Sequence, residues 1–181
     1  MDEQDKTLRN NTDRILKFIH QRPACHLRQI KKELKISMGT VQHHLNRLEK
    51  EGKITSVRNG LYKYYFPIGM FQAKERNLLQ ILSQETARDI LFFIVEEKNP
   101  SQSDIVTSIG ISSAAVNWHI SRLLKLDLID ENKDGKFKRY KLKVDSKYLI
   151  ALMKNYYPNI WSIWSSRIAE TFLSLSQNDN E

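Results

Sequence analysis

The chain has 181 residues, of which 40% are hydrophobic and 28% charged, and its formal net charge is +8. This composition suits one large or two small globular domains, and it excludes collagen-like and broadly disordered chains. No apolar stretch reaches the roughly 20 residues of a membrane-spanning helix, the N-terminus is unlike a signal peptide, and the single cysteine, Cys25, has no intrachain disulfide partner. We therefore expect a cytoplasmic protein without membrane contacts.

The positive charge lies almost wholly in the N-terminal part of the chain. Residues 1–70 hold 14 Lys and Arg against 7 Asp and Glu, whereas residues 71–142 hold 11 against 10. A field of one sign attracts polyanions, and nucleic acid is the commonest polyanionic partner. The distribution favours a nucleic-acid partner for this N-terminal part, although a basic surface that serves only solubility gives the same count.

The N-terminal part, up to Pro67, predicts three helices followed by a hairpin. Apolar residues at helical spacing from Ile15 to Ile19 predict a helix that ends before Pro23, and a second helix is predicted at 27–34. A third helix, 37–51, begins with Ser37 as its N-cap and stops at a glycine. Two alternating runs then flank Arg58-Asn59-Gly60, and Asn-Gly between such runs is a strong hairpin signal.

The same plan recurs further along the chain. The register that places Ile15 on Ile90 aligns 15–66 with 90–141 without a gap, and the matched identities run in order from the first helix to the last strand. In the second copy Pro100 ends the first helix, and Ser101 with Asp104 resembles a capping box. Ser112 caps the third helix, and the hairpin turns at Lys133-Asp134-Gly135. The chain therefore contains two copies of one unit.

Three helices and a hairpin, with a tight turn between the second and third helices, describe a winged helix-turn-helix. The segments ISMGTVQHHLNRLEKEGKI and ISSAAVNWHISRLLKLDLI resemble the recognition helices of the ArsR-like and MarR-like winged-helix regulators of bacteria and archaea, and ILSQETARDILFFI resembles the first helix of an ArsR-type domain. The resemblance covers roughly residues 12–67 and 84–142. The lysine- and isoleucine-rich composition fits an AT-rich prokaryotic genome, and we expect an archaeal source.

The expected fold is mainly α with small β-hairpins (α+β). It comprises an N-terminal winged helix-turn-helix domain at 1–70, a second at 71–144, and a C-terminal helical segment at 145–181.

The third helix of the first unit is expected to read DNA, because it buries Val41, Leu45 and Leu48 and turns its other face outward. Glutamine and asparagine pair bidentately with adenine. The residues of this face are Ser37, Gly39, Thr40, Gln42, His43, Asn46 and Arg47. The expected backbone contacts are the basic residues Arg28, Lys31, Lys32, Lys35, Arg58 and Lys63. For each single lysine, a solvated surface is an equally ordinary interpretation.

The second unit departs from this pattern. Its third helix presents Ala114, Asn117, Trp118 and Ser121, and its second helix has no Lys or Arg. Its wing alone is basic, with Lys133, Lys136, Lys138, Arg139 and Lys141. Two interpretations stay open: the unit assists DNA binding through its wing, or it has become a protein-interaction domain with Trp118 as an anchor.

No motif indicates a metal, a cofactor or a reaction. Cys25, His26 and the pair His43-His44 lack the clustered spacing of a zinc site, and His44 and His119 match in the repeat at the edge of the buried face, which favours a structural role. Phosphate loops, nucleophile elbows and paired carboxylate motifs are missing from the sequence, so we expect neither an enzyme nor a bound cofactor. Nothing in the sequence identifies a small-molecule effector.

The C-terminal segment carries an apolar stripe at helical spacing. Its residues are Trp161, Trp164, Ile168 and Phe172. The resemblance implies a homodimer formed through these terminal helices; packing of the stripe back on the units and an aromatic ligand pocket are the alternatives.

Together these features predict a sequence-specific, double-stranded DNA-binding transcriptional regulator associated with the nucleoid. Recognition helix 37–51 would lie in the major groove, and the basic wings would contact the backbone. The alternative is a winged-helix protein-interaction scaffold within the transcription or chromosome machinery.

Overall fold

The computed structural model describes residues 3–162 and residue 165, with side chains from Asn10 onward. It confirms the expected fold class, mainly helical with small antiparallel hairpins. Contacts divide the chain into two compact units between Ser83 and Gln84. The helix at 73–82 therefore lies in the first unit, whereas the sequence-based division at residue 70 grouped it with the second. None of the described helices is long and apolar enough to cross a membrane.

The described part of the first unit contains four helices and a three-stranded sheet of order β1-β3-β2. Its elements are α1 (Glu3–Gln21), β1 (Cys25–His26), α2 (Leu27–Leu34), α3 (Met38–Lys50), β2 (Ile54–Asn59), β3 (Tyr62–Pro67) and α4 (Ala73–Leu82). The two-residue strand β1 was not expected from the sequence; it pairs antiparallel with Tyr65 and Tyr64 of β3. This pairing fixes the wing against the start of α2.

The second unit, as far as the structure describes it, contains four helices, a further short helical segment at 158–162 and a two-stranded sheet. Its elements are α5 (Glu85–Glu97), α6 (Gln102–Ile109), α7 (Ser113–Lys125), β4 (Ile129–Asp134), β5 (Phe137–Leu142) and α8 (Ser146–Tyr156). In place of β1, an isolated bridge joins Ser101 to Arg139.

The structure confirms the internal repeat in four pairs of elements. In the register that places Ile15 on Ile90, the bounds of α2, α3, β2 and β3 coincide with those of α6, α7, β4 and β5. Both third helices start with the same cap: Ser37 and Ser112 have φ −62° and ψ 151°, and each side chain accepts a hydrogen bond from the backbone N–H three positions on. The cap satisfies one of the N–H groups that a helix start leaves without an intrahelical partner.

Both hairpins turn one position later than the sequence suggested. Asn59 pairs with Tyr62 and Asp134 with Phe137, so these two polar residues still belong to the strands. The turn positions are Gly60-Leu61 and Gly135-Lys136, and both glycines have φ +61°. Glycine with positive φ at the first turn position is the pattern of a type II′ turn, which also suits the twist of a hairpin.

The turn between the second and third helices requires a left-handed residue in both units. Lys35 takes it in the first unit, with φ 54°, and Gly110 takes it in the second, with φ 72°. A side chain with a Cβ is disfavoured in this region by roughly 1–2 kcal/mol, whereas glycine is not. The first unit therefore places a lysine where the backbone favours glycine.

The core of each unit consists of the apolar faces that the sequence indicated. Ile15, Ile19, Val41, Leu45 and Leu48 are fully buried in the first unit. Burial of each of these side chains contributes about 1.5–3 kcal/mol relative to exposure, although chain entropy offsets most of the sum. Because this packing holds one face of α3 against α1 and α2, the opposite face is left for solvent.

Candidate nucleic-acid interface

The outer face of α3 carries the predicted reading residues. Gly39, Gln42, His43, Asn46 and Arg47 are exposed, Thr40 is half-buried, and the cap residue Ser37 is exposed at the helix start. The Ser37 and Thr40 hydroxyls lie 2.7 Å apart. The structure thus brings the polar residues together on one surface of the helix.

Two amides on this face are already oriented by each other. The Gln42 Nε2 group donates a hydrogen bond to Asn46 Oδ1 across 3.0 Å. The bond leaves the Gln42 Oε1 acceptor and the Asn46 Nδ2 donor available for a ligand. Adenine presents a donor at N6 and an acceptor at N7 in the major groove. The pair is therefore complementary to an adenine edge without rearrangement of its own hydrogen bond.

A carboxylate just after α3 pairs with one of the expected cations, Arg47, and with Lys53. Glu51 Oε1 lies 2.7 Å from Arg47 Nε, and its Oε2 lies 2.8 Å from Lys53 Nζ. Hydrogen bonds from Lys53 and then Arg47 hold the pKa of the Glu51 carboxyl below its usual range. Arg47 is thereby anchored along the helix edge.

Glu49 joins the recognition helix to both strands of the wing, a role that the sequence did not reveal. Its Oε1 accepts a hydrogen bond from Ser56 Oγ of β2 at 2.5 Å, and its Oε2 lies 2.8 Å from Lys63 Nζ of β3. Lys63 was predicted to contact DNA, and the structure places its ammonium group on Glu49. Arg58, by contrast, is exposed on β2.

The basic residues of the second helix lie on its solvent side. Arg28, Lys31 and Lys32 of α2 and Lys35 just after it are all exposed. The imidazole of His26 caps this helix, since its Nδ1 accepts the Gln29 N–H at 3.3 Å. Its ring lies 5.0 Å from that of Tyr62 on the wing. Burial lowers the pKa of His26, and the charge of Arg28 lowers it further. These contacts place the start of α2 beside the wing.

His44 lies on the inner face of α3, in keeping with the structural role expected for it. The side chain is 0% exposed, and its Nδ1 lies 3.0 Å from Thr12 Oγ1 of α1. Burial lowers the pKa of His44, and the neighbouring His43 and Arg47 add to the shift. A neutral imidazole thus links the first helix to the recognition helix.

The corresponding face of the second unit is polar and aromatic. Ala114, Asn117 and Ser121 are exposed, and Trp118 is 60% exposed. The Trp118 ring lies 4.7 Å from the His119 ring and 5.6 Å from the Arg122 guanidinium carbon. The face thus offers an aromatic surface where the first unit offers amides.

The wing of the second unit carries cations with acidic neighbours. Lys138 Nζ lies 3.0 Å from Glu131 Oε1, and Arg139 Nε lies 2.7 Å from Asp134 Oδ2. Lys133, Lys136 and Lys141 are exposed. The positive field of this wing is therefore weaker than the count of its lysines suggested, because Lys138 and Arg139 have carboxylates beside them.

The C-terminal segment lies only partly within the described residues. Helix α8 buries Leu149, Leu152 and Met153, and the half-buried Trp161 ring lies 5.1 Å from Lys154 Nζ. Trp164, Ile168 and Phe172, which were predicted to form the dimer contact, lie outside the described residues.

Among the described residues, no group of three His, Cys, Asp or Glu side chains is placed to hold a metal ion. Cys25 is 1% exposed on β1, and its burial raises the pKa of the thiol. A buried thiol with a raised pKa is a poor nucleophile and a poor ligand.

Comparison with known proteins supports both units. Residues 9–79 match a family model described as an N-terminal HTH domain, and residues 83–130 match one described as winged helix-turn-helix DNA-binding. A curated relative is an uncharacterized HTH-type transcriptional regulator of Methanocaldococcus jannaschii, 29% identical over 135 residues. The match covers 74% of this chain but only 34% of the relative, so the chain spans about a third of that protein's length.

Solved structures are similar over part of the chain. HlyU from Vibrio vulnificus is 20% identical and covers 62% of this chain and 97% of its own, with a TM-score of 0.40. Reduced HlyU from Vibrio cholerae is 21% identical and covers 47% of this chain and 90% of its own, with a TM-score of 0.41. The two family models and the repeated three-helix and hairpin architecture show that each half of the chain carries a helix-turn-helix domain, the second of the winged DNA-binding type.

Proposed function

We propose that this chain regulates transcription by binding double-stranded DNA sequence-specifically, with α3 in the major groove. The observation that carries the proposal is the Gln42–Asn46 pair, hydrogen-bonded at 3.0 Å and exposed on a helix whose other face is locked into the core. A side-chain pair of this kind discriminates adenine from another base by about 1–3 kcal/mol.

Phosphate contacts hold the helix in register. The accessible cations that flank α3 are Arg28, Lys31, Lys32, Lys35 and Arg58. Each lysine or arginine that reaches a phosphate releases counter-ions, so binding weakens steeply as salt rises. The exposed Lys133 and Lys136 of the second wing add backbone contacts of the same kind.

The test is duplex binding by the full chain across a salt series, after sequences have been selected from a pool of random duplexes. Gln42→Ala/Asn46→Ala should lose preference at an adenine position, with about 1–3 kcal/mol less discrimination and little change in salt slope. Asn10→Ala/Gln21→Ala is the matched control, because it removes two exposed amides from α1. Lys31→Ala should lower the salt slope by about 0.9 without changing the preference.

Failure to bind duplex DNA at low salt contradicts the proposal. The protein-interaction alternative, with the exposed Trp118 as its anchor, then becomes the better account of the second unit.

We further propose a homodimer, formed through the C-terminal segment that begins with the half-buried Trp161. Two-fold symmetry would present two α3 helices to half-sites one helical turn apart, about 34–36 Å. Light scattering of the full chain should give the mass of two chains, and selected sequences should be palindromic. A single-chain mass at micromolar concentration with non-palindromic sites contradicts the dimer.

A further inference from the structure

The second unit contains a cleft whose lining residues differ from their counterparts in the first unit. The cleft has a volume of about 500 Å³ and lies between the start of α6, the start of α7 and the tip of the wing. Small-ligand sites occupy roughly 300–1,000 Å³, so the cleft is large enough for one. It belongs wholly to the second unit.

The repeat shows how the cleft arises. In the register of the repeat, Ser101 replaces His26 and Ser113 replaces Met38. In the first unit the His26 ring lies 5.0 Å from Tyr62, so an imidazole stands against the wing at this position. Serine is far smaller than histidine or methionine, so these two positions place less side-chain volume at the start of α6 and α7. The substitutions exchange bulk for hydroxyl groups.

The two units also differ in where their basic residues lie. Helix α2 is basic, and α6 has Ser103 and Thr107 where α2 has Arg28 and Lys32. The wing tip shows the reverse exchange, since Lys136 stands where the first unit has Leu61. At this place the first unit therefore has its cations on the second helix, whereas the second unit has a cation, Lys136, at the tip of the wing.

The groups around the cleft are suited to an anion. Lys136 is exposed and has no acidic partner among the described residues, whereas Lys138 lies 3.0 Å from Glu131. Ser113 Oγ accepts a hydrogen bond from Gln102 Nε2 at 3.1 Å, so its own hydroxyl proton is left to donate into the cleft. The Asp104 carboxylate at the same helix start is occupied by the Ser101 N–H at 2.8 Å.

An aromatic ring completes the rim. Phe137 lines the cleft and is 57% exposed, which is unusual for a phenylalanine outside a contact surface. A cation, hydroxyl donors and an exposed ring are the groups that recognise a phosphate attached to a sugar or base. We propose that this cleft binds the phosphate of a nucleotide unit, with Lys136 as its counter-ion and Phe137 against the sugar or base.

The nucleotide unit has two sources, a free mononucleotide or the backbone of a duplex. Titration of the ¹⁵N-labelled full chain separates them, with AMP, inorganic pyrophosphate and a duplex added in turn while backbone amide shifts are followed. Shifts of the Ser103, Ser113 and Lys136 amides with AMP and pyrophosphate identify a free phosphorylated ligand. Shifts of the same amides with the duplex alone show that the phosphate comes from the DNA backbone. This second outcome rests on the proposed function.

The repeat supplies variants that the fold already accommodates. Lys136→Leu and Ser113→Met place in the cleft the residue types of the first unit, and each should weaken binding roughly tenfold, as expected for loss of a charge-assisted hydrogen bond. Lys125→Leu is the matched control, since it removes one exposed lysine from the end of α7, away from the cleft.

The proposal is overturned if none of the three additions shifts the cleft amides, or if Lys136→Leu binds as tightly as Lys125→Leu. The same titrations distinguish failure of the cleft proposal from failure of the proposed DNA binding. In that case the duplex leaves the Gln42 and Asn46 amides of α3 unshifted, while the AMP and pyrophosphate titrations still report on the cleft.

Discussion

The contact between Thr12 and His44 connects α1 to the inner face of the recognition helix, so Thr12→Val tests how α3 is held. Valine keeps the shape of threonine but removes the hydroxyl group that lies 3.0 Å from His44 Nδ1. The imidazole is 0% exposed, and within the described part of the chain its Nε2 already has no hydrogen-bond partner. The substitution therefore leaves both ring nitrogens buried and unsatisfied.

The magnitude follows from that burial. Leaving one buried polar group without a partner costs about 1–3 kcal/mol, more than the net value of the hydrogen bond itself. His44→Leu removes the polar ring altogether, so adding Thr12→Val to it should cost little more. We expect the two substitutions to be coupled by about 1–2 kcal/mol. The second unit already has the arrangement that Thr12→Val would create: Ala87 stands in the place of Thr12, and the Nδ1 of the half-buried His119 has no hydrogen-bond partner within the described residues.

Native-state hydrogen exchange measures the effect in one unit at a time. Amides of Leu45 and Leu48 should lose about 1–3 kcal/mol of protection in Thr12→Val, whereas those of Ile120 and Leu123 in the second unit serve as an internal reference. A loss below about 0.5 kcal/mol, or strictly additive losses in the double variant, would refute the idea that this hydrogen bond positions α3.

Three further outcomes are expected. Glu49→Gln should free the Lys63 ammonium group for a phosphate, which makes the salt slope of DNA binding steeper by about 0.9. An unchanged slope would show that Lys63 does not reach a phosphate. Native Cys25 should resist alkylation by iodoacetamide until urea unfolds the chain, because burial raises the pKa of its thiol; rapid labelling of the folded chain would contradict this. Burial also lowers the pKa of three histidines from the ordinary value of 6.5: His26, His44 and His119. As pH falls below 6.5 the unfolded chain takes up protons before the folded one, so stability is complete above that pH and declines toward the folded-state pKa values. Thermal midpoints measured from neutral to mildly acidic pH check the sign, and a midpoint that rises on acidification would show that other groups dominate.

The repeat made most of the fold predictable from the sequence. Because the two copies align without a gap, each helix and strand was indicated twice, and the Ser37 and Ser112 caps marked both third helices. Helix α4 was harder, because Leu78, Leu79, Gln80, Ile81 and Leu82 are all buried. A run in which every residue is buried has no amphipathic period, so the sequence predicts no helix here and assigns the segment to the second domain.

The sequence was sufficient to predict which residues the candidate site exposes, but not which ion pairs they form. Exposure of Gln42 and Asn46 follows from the apolar positions of α3 alone, since a helix that buries one face exposes the other. The partner of Lys63 does not follow, because Glu49 lies 14 residues away and meets it only once the wing folds back on the helix. The displacement of both turns by one position has a similar origin: Asn-Gly and Asp-Gly suit two kinds of turn, and strand pairing decides between them.

The left-handed backbone conformation of Lys35 bears on how this position should evolve. At a φ of 54° its backbone is strained by about 1 kcal/mol relative to glycine, a large share of a marginal stability. Selection for folding alone would replace it with glycine, the residue at the matching position 110. We expect Lys35 to be retained for the charge that it brings to the proposed nucleic-acid contact. In descendants released from nucleic-acid binding, Lys35 should be among the first residues of the first unit to drift, and glycine should be its commonest successor.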